Sequence, residues 1–359
     1  MNITLQDINL LPVKTWRWLG VNGTEIVEEI PGPFVPQEAT LQLPQGVTAL
    51  PTAFSGADDI ATGMGKDAEE FVKDNRSAGV HLTVEADAKA TEPLFLDYTL
   101  GKANAALADY NTIYAKENSK ITLVIDYRSQ EDTAVFHGSL TKIFAERGAH
   151  VQLVQIQLLH DSAIHFDNVG VVVNEEALVE VTHIELGSGK VYSGCRAKLM
   201  ERKARFEAEA IYLGDKKRLF DMNYIAEHIG RETESEIHAN GALLDESQKI
   251  YRGTIDFVRG ASHSVGHESE FTLLFSPRVR NRTAPLILCG EENVEGQHAA
   301  SIGKIDQNKL FYLMSRGLSE TQAKQIVIEA QFTPALEKIP DEARRESVSA
   351  WLKERIGIA

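Results

Sequence analysis

The chain is short of the residues that mark many protein classes. It has only two cysteines, Cys195 and Cys289. Two thiols cannot build a disulfide framework or a cysteine-based structural zinc site, and they suit a reducing compartment. Basic residues are outnumbered, 37 Lys and Arg against 52 Asp and Glu, for a formal charge of −15. That balance argues against a nucleic-acid or anionic-membrane partner, since each needs a basic face. No apolar run approaches the ~20 residues that span a bilayer. Met1-Asn-Ile-Thr-Leu-Gln-Asp7 lacks the basic and apolar regions of a signal peptide. The expectation is a cytoplasmic protein with no membrane and no nucleic-acid partner.

Hydrophobic and charged contents of 43% and 25% are ordinary for a globular chain, and 359 residues can make two or three domains. Near the start, Leu11-Pro-Val-Lys-Thr-Trp-Arg-Trp18 places two tryptophans on one side of an extended segment, where packing against a neighbouring domain is expected. Pro31, Pro33, Pro36, Pro44 and Pro51 then predict loops. Residues 57–75 read as weakly helical. Gly65-Lys66 is not a phosphate loop, because Ile60 replaces the first glycine and Asp67 the magnesium-binding hydroxyl. Leu100, Ala103, Leu107 and Tyr110 predict an amphipathic helix over 99–116.

From about residue 120 the period becomes two, with one helix predicted at Ser139–Gly148. Strands are expected at 121–127, 151–159, 169–173 and 178–186, and again from about 204, 219, 235, 249, 270 and 285. No helix separates this later series, which removes a βαβ arrangement and leaves a sandwich, a propeller or a stacked solenoid. After Gly303 the pattern turns helical. Asp306 caps a first helix that Gly317 ends. Ser319-Glu-Thr-Gln322 opens a second through about Lys338, and Pro340-Asp-Glu a third carrying Val348, Trp351, Leu352 and Arg355. The expected organisation is a mixed, partly helical region over 1–118, a β core over 119–302 and a helical domain over 303–359.

Candidate chemistry is sparse. No spacing singles out a carboxylate pair, so a carbohydrate-active hydrolase or lyase on a β-solenoid stays only as an alternative. His263 and His267 have ligand-like spacing, but Gly266 argues against the helix it would need. His160, His165, His183, His228 and His238 are assigned surface or satisfied-core roles. Cys289 is expected to be a buried strand thiol, and Cys195, despite adjacent Arg196, a structural one. His298 stands apart. Gly296, Ala299, Ala300 and Ser301 cannot hide it, and it sits where strands give way to helices. A neutral imidazole there can ligate iron, copper or zinc, or merely support the helix junction.

Five motifs carry a resemblance across about Phe206–Ala330. They are Asp221-Met-Asn-Tyr-Ile-Ala-Glu-His228, Gly253-Thr-Ile255, Phe271-Thr-Leu-Leu-Phe-Ser276, Gln297-His-Ala-Ala-Ser-Ile-Gly303 and Lys309-Leu-Phe-Tyr-Leu-Met-Ser-Arg-Gly-Leu318. With Leu11-Pro and Trp16, they resemble the SufB/SufD family, paired subunits that assemble iron–sulfur clusters with the ATPase SufC. Val279 stands where the SufB type has a cysteine, and Ala299 where it has a glutamate, so the SufD type is the better match. Gly296 departs from a cysteine often found in SufD-type chains.

The resemblance implies a right-handed parallel β-helix (β-solenoid) with a small helical C-terminal domain. It further implies a non-enzymatic scaffold, with no catalytic residue and no stably bound cofactor, on which a transient iron–sulfur cluster forms in the complex. His298 becomes a cluster or iron ligand at the interface with a SufB-type subunit or a second copy. Residues 305–345 become the SufC docking surface, with Leu310, Phe311, Tyr312, Arg316 and Ile326 as its contacts. A structural dimer partner with no metal role is the remaining alternative.

Overall fold

The structure is a computed structural model, and it describes residues 1–38, 41–130 and 133–357. A hairpin of β1 (Asn2–Ile8) and β2 (Thr24–Glu29) opens the chain, followed by β3 (Val47–Leu50), α1 (Lys66–Asp74) and β4 (His81–Val84). Next come β5 (Leu94–Leu100), β6 (Ala106–Ala115), β7 (Lys120–Ser129), β8 (Phe136–Ala145) and β9 (His150–Leu158). β10 (Ile164–Val173), β11 (Leu178–Glu185), β12 (Lys190–Leu199), β13 (Arg205–Gly214) and β14 (Leu219–His228) continue the series. It closes with β15 (Glu234–Leu243), β16 (Gln248–Phe257), β17 (Val265–Leu274), β18 (Arg280–Cys289) and β19 (Glu295–Lys304). Then follow α2 (Gln307–Ser315), α3 (Glu320–Glu337) and α4 (Glu342–Arg355).

Even-numbered strands from β4 to β18 stack in parallel in one sheet, with β3 antiparallel at its edge. Odd-numbered strands from β5 to β19 stack in parallel in the other. Each coil contributes one strand to each sheet, and the two sheets face each other across a filled lumen, giving a parallel β-solenoid of about eight turns. Of the three architectures the strand spacing left open, this is the solenoid. Its coils turn on a repeated device. Asn118, Glu176, Lys203, Glu232 and His263 all take positive φ at one corner, with Gly148 among them. Each of these residues donates its backbone N–H to a carbonyl of the next coil, as Glu176 does to Arg202 (3.1 Å) and Lys203 to Arg231 (3.0 Å). The turns are thus stacked like the strands.

The helices expected at 99–116 and 139–148 are strands, β5–β6 and β8. Both outer faces of the solenoid are covered, and this explains the misreading. Ile3, Leu5, Met64, Phe71 and Val72 of the N-terminal segment pack on Ala108, Tyr110, Phe136, Leu140 and Phe166 of the first sheet. Ile328, Phe332, Ala335, Val348 and Leu352 of α3 and α4 pack on Val124, Val154, Ile184 and Ile211 of the second. A strand buried on both faces loses its period of two, so β6 and β8 read as apolar runs that a helix fits equally well. The parallel ladder therefore begins near His81, inside the stretch expected as a mixed N-terminal region. Three further solenoid strands, β4, β12 and β19, match no segment expected from the sequence.

The N-terminal cover is tied down by polar groups from the family motif. Asp221 and Arg252 form a buried ion pair at 2.5 Å. Asp221 also accepts from Asn9 Nδ2 (2.8 Å) and from the Thr24 hydroxyl, while Arg252 Nε donates to Val21 O (2.5 Å). Asn223 Nδ2 donates to Gly63 O at 3.0 Å. Trp16 and Trp18 are not in an extended segment and do not pack. They flank and enter a short 3₁₀ turn at Arg17–Leu19, and both are exposed.

Candidate functional site

The solenoid ends at β18 and β19, and β19 pairs only with β17. His298 is therefore not at a strand-to-helix junction but within the last strand, exposed at the open mouth of the lumen. Alternation along the strand fixes its face. A Cβ on Gly296 would come within 2.9 Å of Phe257 and 3.1 Å of Ile287, so that position faces inward, and His298 lies two residues on. The same contact explains the glycine, because a larger side chain would drive into Phe257. Ala299 points to the opposite face.

His298 stands in register with Glu268 on β17. Glu268 is buried, and its carboxyl lies against Gly253 across the lumen. Among the described residues neither of its oxygens makes a close hydrogen bond, and the buried Tyr251 hydroxyl is its neighbour in the lumen. Burial, with Glu270 beside it, pushes its pKa up to about 7. Glu270 is held by Lys249 and accepts from Thr283 (2.7 Å) and Tyr212 (3.1 Å). An imidazole above a carboxyl puts two groups capable of ligating a metal at one open end. Cys289 ends β18 and is exposed, not buried as expected. Cys195 is buried, and burial pushes its thiol up, away from thiolate.

The C-terminal helices follow their sequence caps. Asp306 accepts from Asn308 N (2.9 Å), and Ser319 and Gln322 complete the capping box. Of the expected docking residues, Leu310 is buried with Ile305 and Ala323 and anchors α2. Phe311 and Tyr312 are 73% and 56% exposed, Ile326 is 42% exposed, and the Arg316 guanidinium sits 5.2 Å from the Tyr312 ring centroid. This is an apolar surface rimmed by charge, the kind that marks a protein interface. No helix among the described residues is long and apolar enough to cross a membrane.

Acidic side chains do line the outer face of β11, β13 and β15, and of Glu180, Glu207, Glu209 and Glu236 all but Glu209, whose pKa burial raises, are engaged. Glu180 is bonded by His150 and Lys338 (both 2.7 Å), Glu207 lies 3.7 Å from Lys338, and Glu236 is bonded by His267 (2.8 Å). His263 is exposed in a turn, so the His263–His267 pair is not a ligand set.

Sequence reasoning missed a cluster inside the lumen. His165 and Asp167 on β10, and His183 and Glu185 on β11, all point inward and are wholly buried. His165 Nδ1 lies 2.8 Å from His137 Nδ1, and His137 Nε2 lies 2.6 Å from Asp109. His183 Nδ1 lies 2.6 Å from the Tyr224 hydroxyl. Burial pushes His183 down to about 4, lowers His137 as well, and, with Glu185 and Asp109 nearby, raises Asp167. His228, by contrast, is a satisfied core residue between Thr233 (2.7 Å) and Ser235 (2.8 Å), and His238 is a surface one. The available signal was His165-Phe-Asp167 and His183-Ile-Glu185, two alternate-residue pairs on consecutive strands.

These features define a class: a two-sheeted parallel β-solenoid that ends in an open, histidine-bearing coil and carries appended helices with an exposed apolar face. Residues 98–331 match the family described as SUF system FeS cluster assembly, SufBD core domain, and the chain belongs to that family. An iron–sulfur cluster assembly SufBD family protein of Pyrococcus horikoshii is 30% identical over 277 residues, covering 74% of this chain and 59% of that one. SufD of Bacillus subtilis is 23% identical over 283 residues (78% and 64%). SufD of Escherichia coli is 22% identical over 283 residues (77% and 66%). The chain thus matches about three-fifths of the length of these relatives.

Proposed function

We propose that this chain is a non-enzymatic, cytoplasmic scaffold subunit for iron–sulfur cluster assembly, of the SufD type. Its last coil pairs with a cysteine-bearing SufB-type subunit, or with a second copy where that subunit is absent. Its α2–α3 face docks a SufC-type ATPase. Iron and sulfide are cargo, held transiently between His298 and thiolates of the partner, and the chain needs no stably bound cofactor of its own.

One observation carries this reading: in a chain of this family, an exposed imidazole sits at the open end of the solenoid, in register with a buried carboxyl. The end strands also leave one row of backbone groups unpaired, an edge that a second chain can complete. The engaged carboxylates on the outer face give no support to a carbohydrate hydrolase.

The test is co-expression with a SufB-type and a SufC-type subunit, comparing the native chain with His298→Ala. The complex should still form, and cluster assembly in cells should fall at least tenfold. Undiminished assembly would remove the ligand role and leave a structural dimer partner. Failure of the native chain to bring down either subunit would remove the scaffold reading itself.

A further inference from the structure

We propose that the coil formed by β10 and β11 holds one divalent transition-metal ion inside the solenoid, bound by His165 Nε2, His183 Nε2 and the carboxylates of Asp167 and Glu185. This site is separate from His298. It lies four coils away, about 19 Å at the usual strand spacing, and it is enclosed where His298 is open.

The geometry is that of a ligand set. His165 Nε2 lies 3.6 Å from Glu185 Oε2 and 4.0 Å from Asp167 Oδ2, and His183 Nε2 lies 3.9 Å from Asp167 Oδ2. The ligand atoms of His165, Asp167 and Glu185 all fall within 4.8 Å of one another. Donors about 2.1 Å from a tetrahedral ion stand roughly 3.4 Å apart, so these three close in by up to about 1.4 Å, and His183, outside that group, joins from beside Asp167.

The hydrogen bonds around the cluster aim lone pairs into it. The Asp109 carboxylate accepts from Asn111 (2.5 Å), Tyr127 (3.0 Å) and His137 Nε2 (2.6 Å). His137 then has only Nδ1 free to accept, so His165 donates through its own Nδ1, and His165 Nε2 keeps an unshared pair. His183 Nδ1 lies 2.6 Å from the Tyr224 hydroxyl, and the tautomer that donates there leaves Nε2 with an unshared pair for the ion. Asp167 Oδ1 accepts from Gln155 (2.9 Å), so Oδ2 remains for the centre. Such outer partners are what orient imidazole and carboxylate ligands at metal sites.

The inner atoms are otherwise unanswered. Among the described residues, His165 Nε2, His183 Nε2 and both Glu185 oxygens are buried and make no close hydrogen bond, the nearest approach being His165 Nε2 to Glu185 Oε2 at 3.6 Å. Buried polar atoms are nearly always satisfied, and a set of them gathered in one coil is answered by a shared partner. Two imidazoles with two carboxylates suit Zn²⁺, Fe²⁺ or Mn²⁺, whereas Ca²⁺ and Mg²⁺ prefer oxygen alone. Two carboxylates also balance the charge of a divalent ion.

The experiment uses the full chain, produced in cells grown with added cobalt and dialysed against a chelator, with Co²⁺ as the probe. We expect one cobalt per chain and visible ligand-field bands, with X-ray absorption showing two imidazole ligands and no sulfur. Glu185→Gln and His183→Gln should each reduce retained cobalt at least tenfold, while His298→Ala should retain it. Cobalt-free native chain overturns the proposal, as does a sulfur-bearing coordination shell or retention by both lumen variants. If those variants do not fold, stoichiometry and coordination of the native chain decide. Loss of cobalt with His298→Ala alone would instead assign the metal to the open end and overturn the lumen site.

Discussion

Glu268 and His298 occupy one register position on neighbouring coils, the first sealed beneath the last coil and the second at its mouth. The carboxyl is kept neutral to about pH 7 by burial, so the floor of the open end changes charge near neutrality.

Stability should therefore depend on pH through Glu268. Its folded pKa lies above the unfolded value, so its favourable contribution is complete below about pH 4.5 and is lost as pH rises through 7. Glu268→Gln is neutral at every pH. It should match the native chain near pH 4 and exceed it at pH 8, by up to roughly 3 kcal/mol. Urea midpoints at the two pH values check this, and an equal difference at both would contradict it.

Asp221 and Arg252 should be costly to separate. Asp221→Ala leaves a buried guanidinium unpaired and frees Asn9 and Thr24, and should destabilise by about 3–5 kcal/mol. Amide exchange in β1 and β2 should rise with it. Asp221→Leu with Arg252→Met should recover much of the loss, and no recovery would mean that the tether to Val21 and Asn9 matters more than the charge.

The two sides of α2 should separate docking from folding. Phe311→Asp and Tyr312→Ala alter exposed side chains and should leave thermal unfolding within about 1 kcal/mol while abolishing capture of a SufC-type ATPase. Leu310→Ala removes a buried anchor, and should loosen α2 itself at a cost of about 2–3 kcal/mol. Limited proteolysis between β19 and α3 reports the second effect, and binding assays the first.

The thiols should react in sequence. Exposed Cys289 should alkylate within minutes in the native chain, and buried Cys195 only after unfolding. Mass spectrometry should show one adduct before denaturant and two after. Two native adducts would place Cys195 at the surface.

How much was legible depended on what covers each strand. β13 and β15 alternate apolar with polar because one face is partly wetted, and the spacing of the strands from β13 onward announced a repeat. β6 and β8 are buried on both sides, which erased the signal. β19, Glu-Gly-Gln-His-Ala-Ala-Ser-Ile-Gly-Lys, is rich in small residues, exposed because no further coil covers it, and reads as the junction where strands give way to helices. The helices were readable from their caps alone. His298 could be picked out by its motif, but its partner Glu268 could not, since register across a coil of roughly 30 residues is invisible in a linear reading. The same blindness hid the His165–Glu185 cluster.

The two covers on the solenoid also set where it can come apart. Coils of a solenoid touch only their neighbours, so opening can spread from an end one unit at a time. Here α3 and α4 lie across several coils like a splint, and the N-terminal segment straps the other side as far as Arg252 and Arg282. The middle of the stack should therefore melt as one cooperative block, whereas β19 lies beyond both covers. Hydrogen exchange should quicken toward Lys304, and a chain docking there would extend the block by one coil, turning a fraying end into an interior.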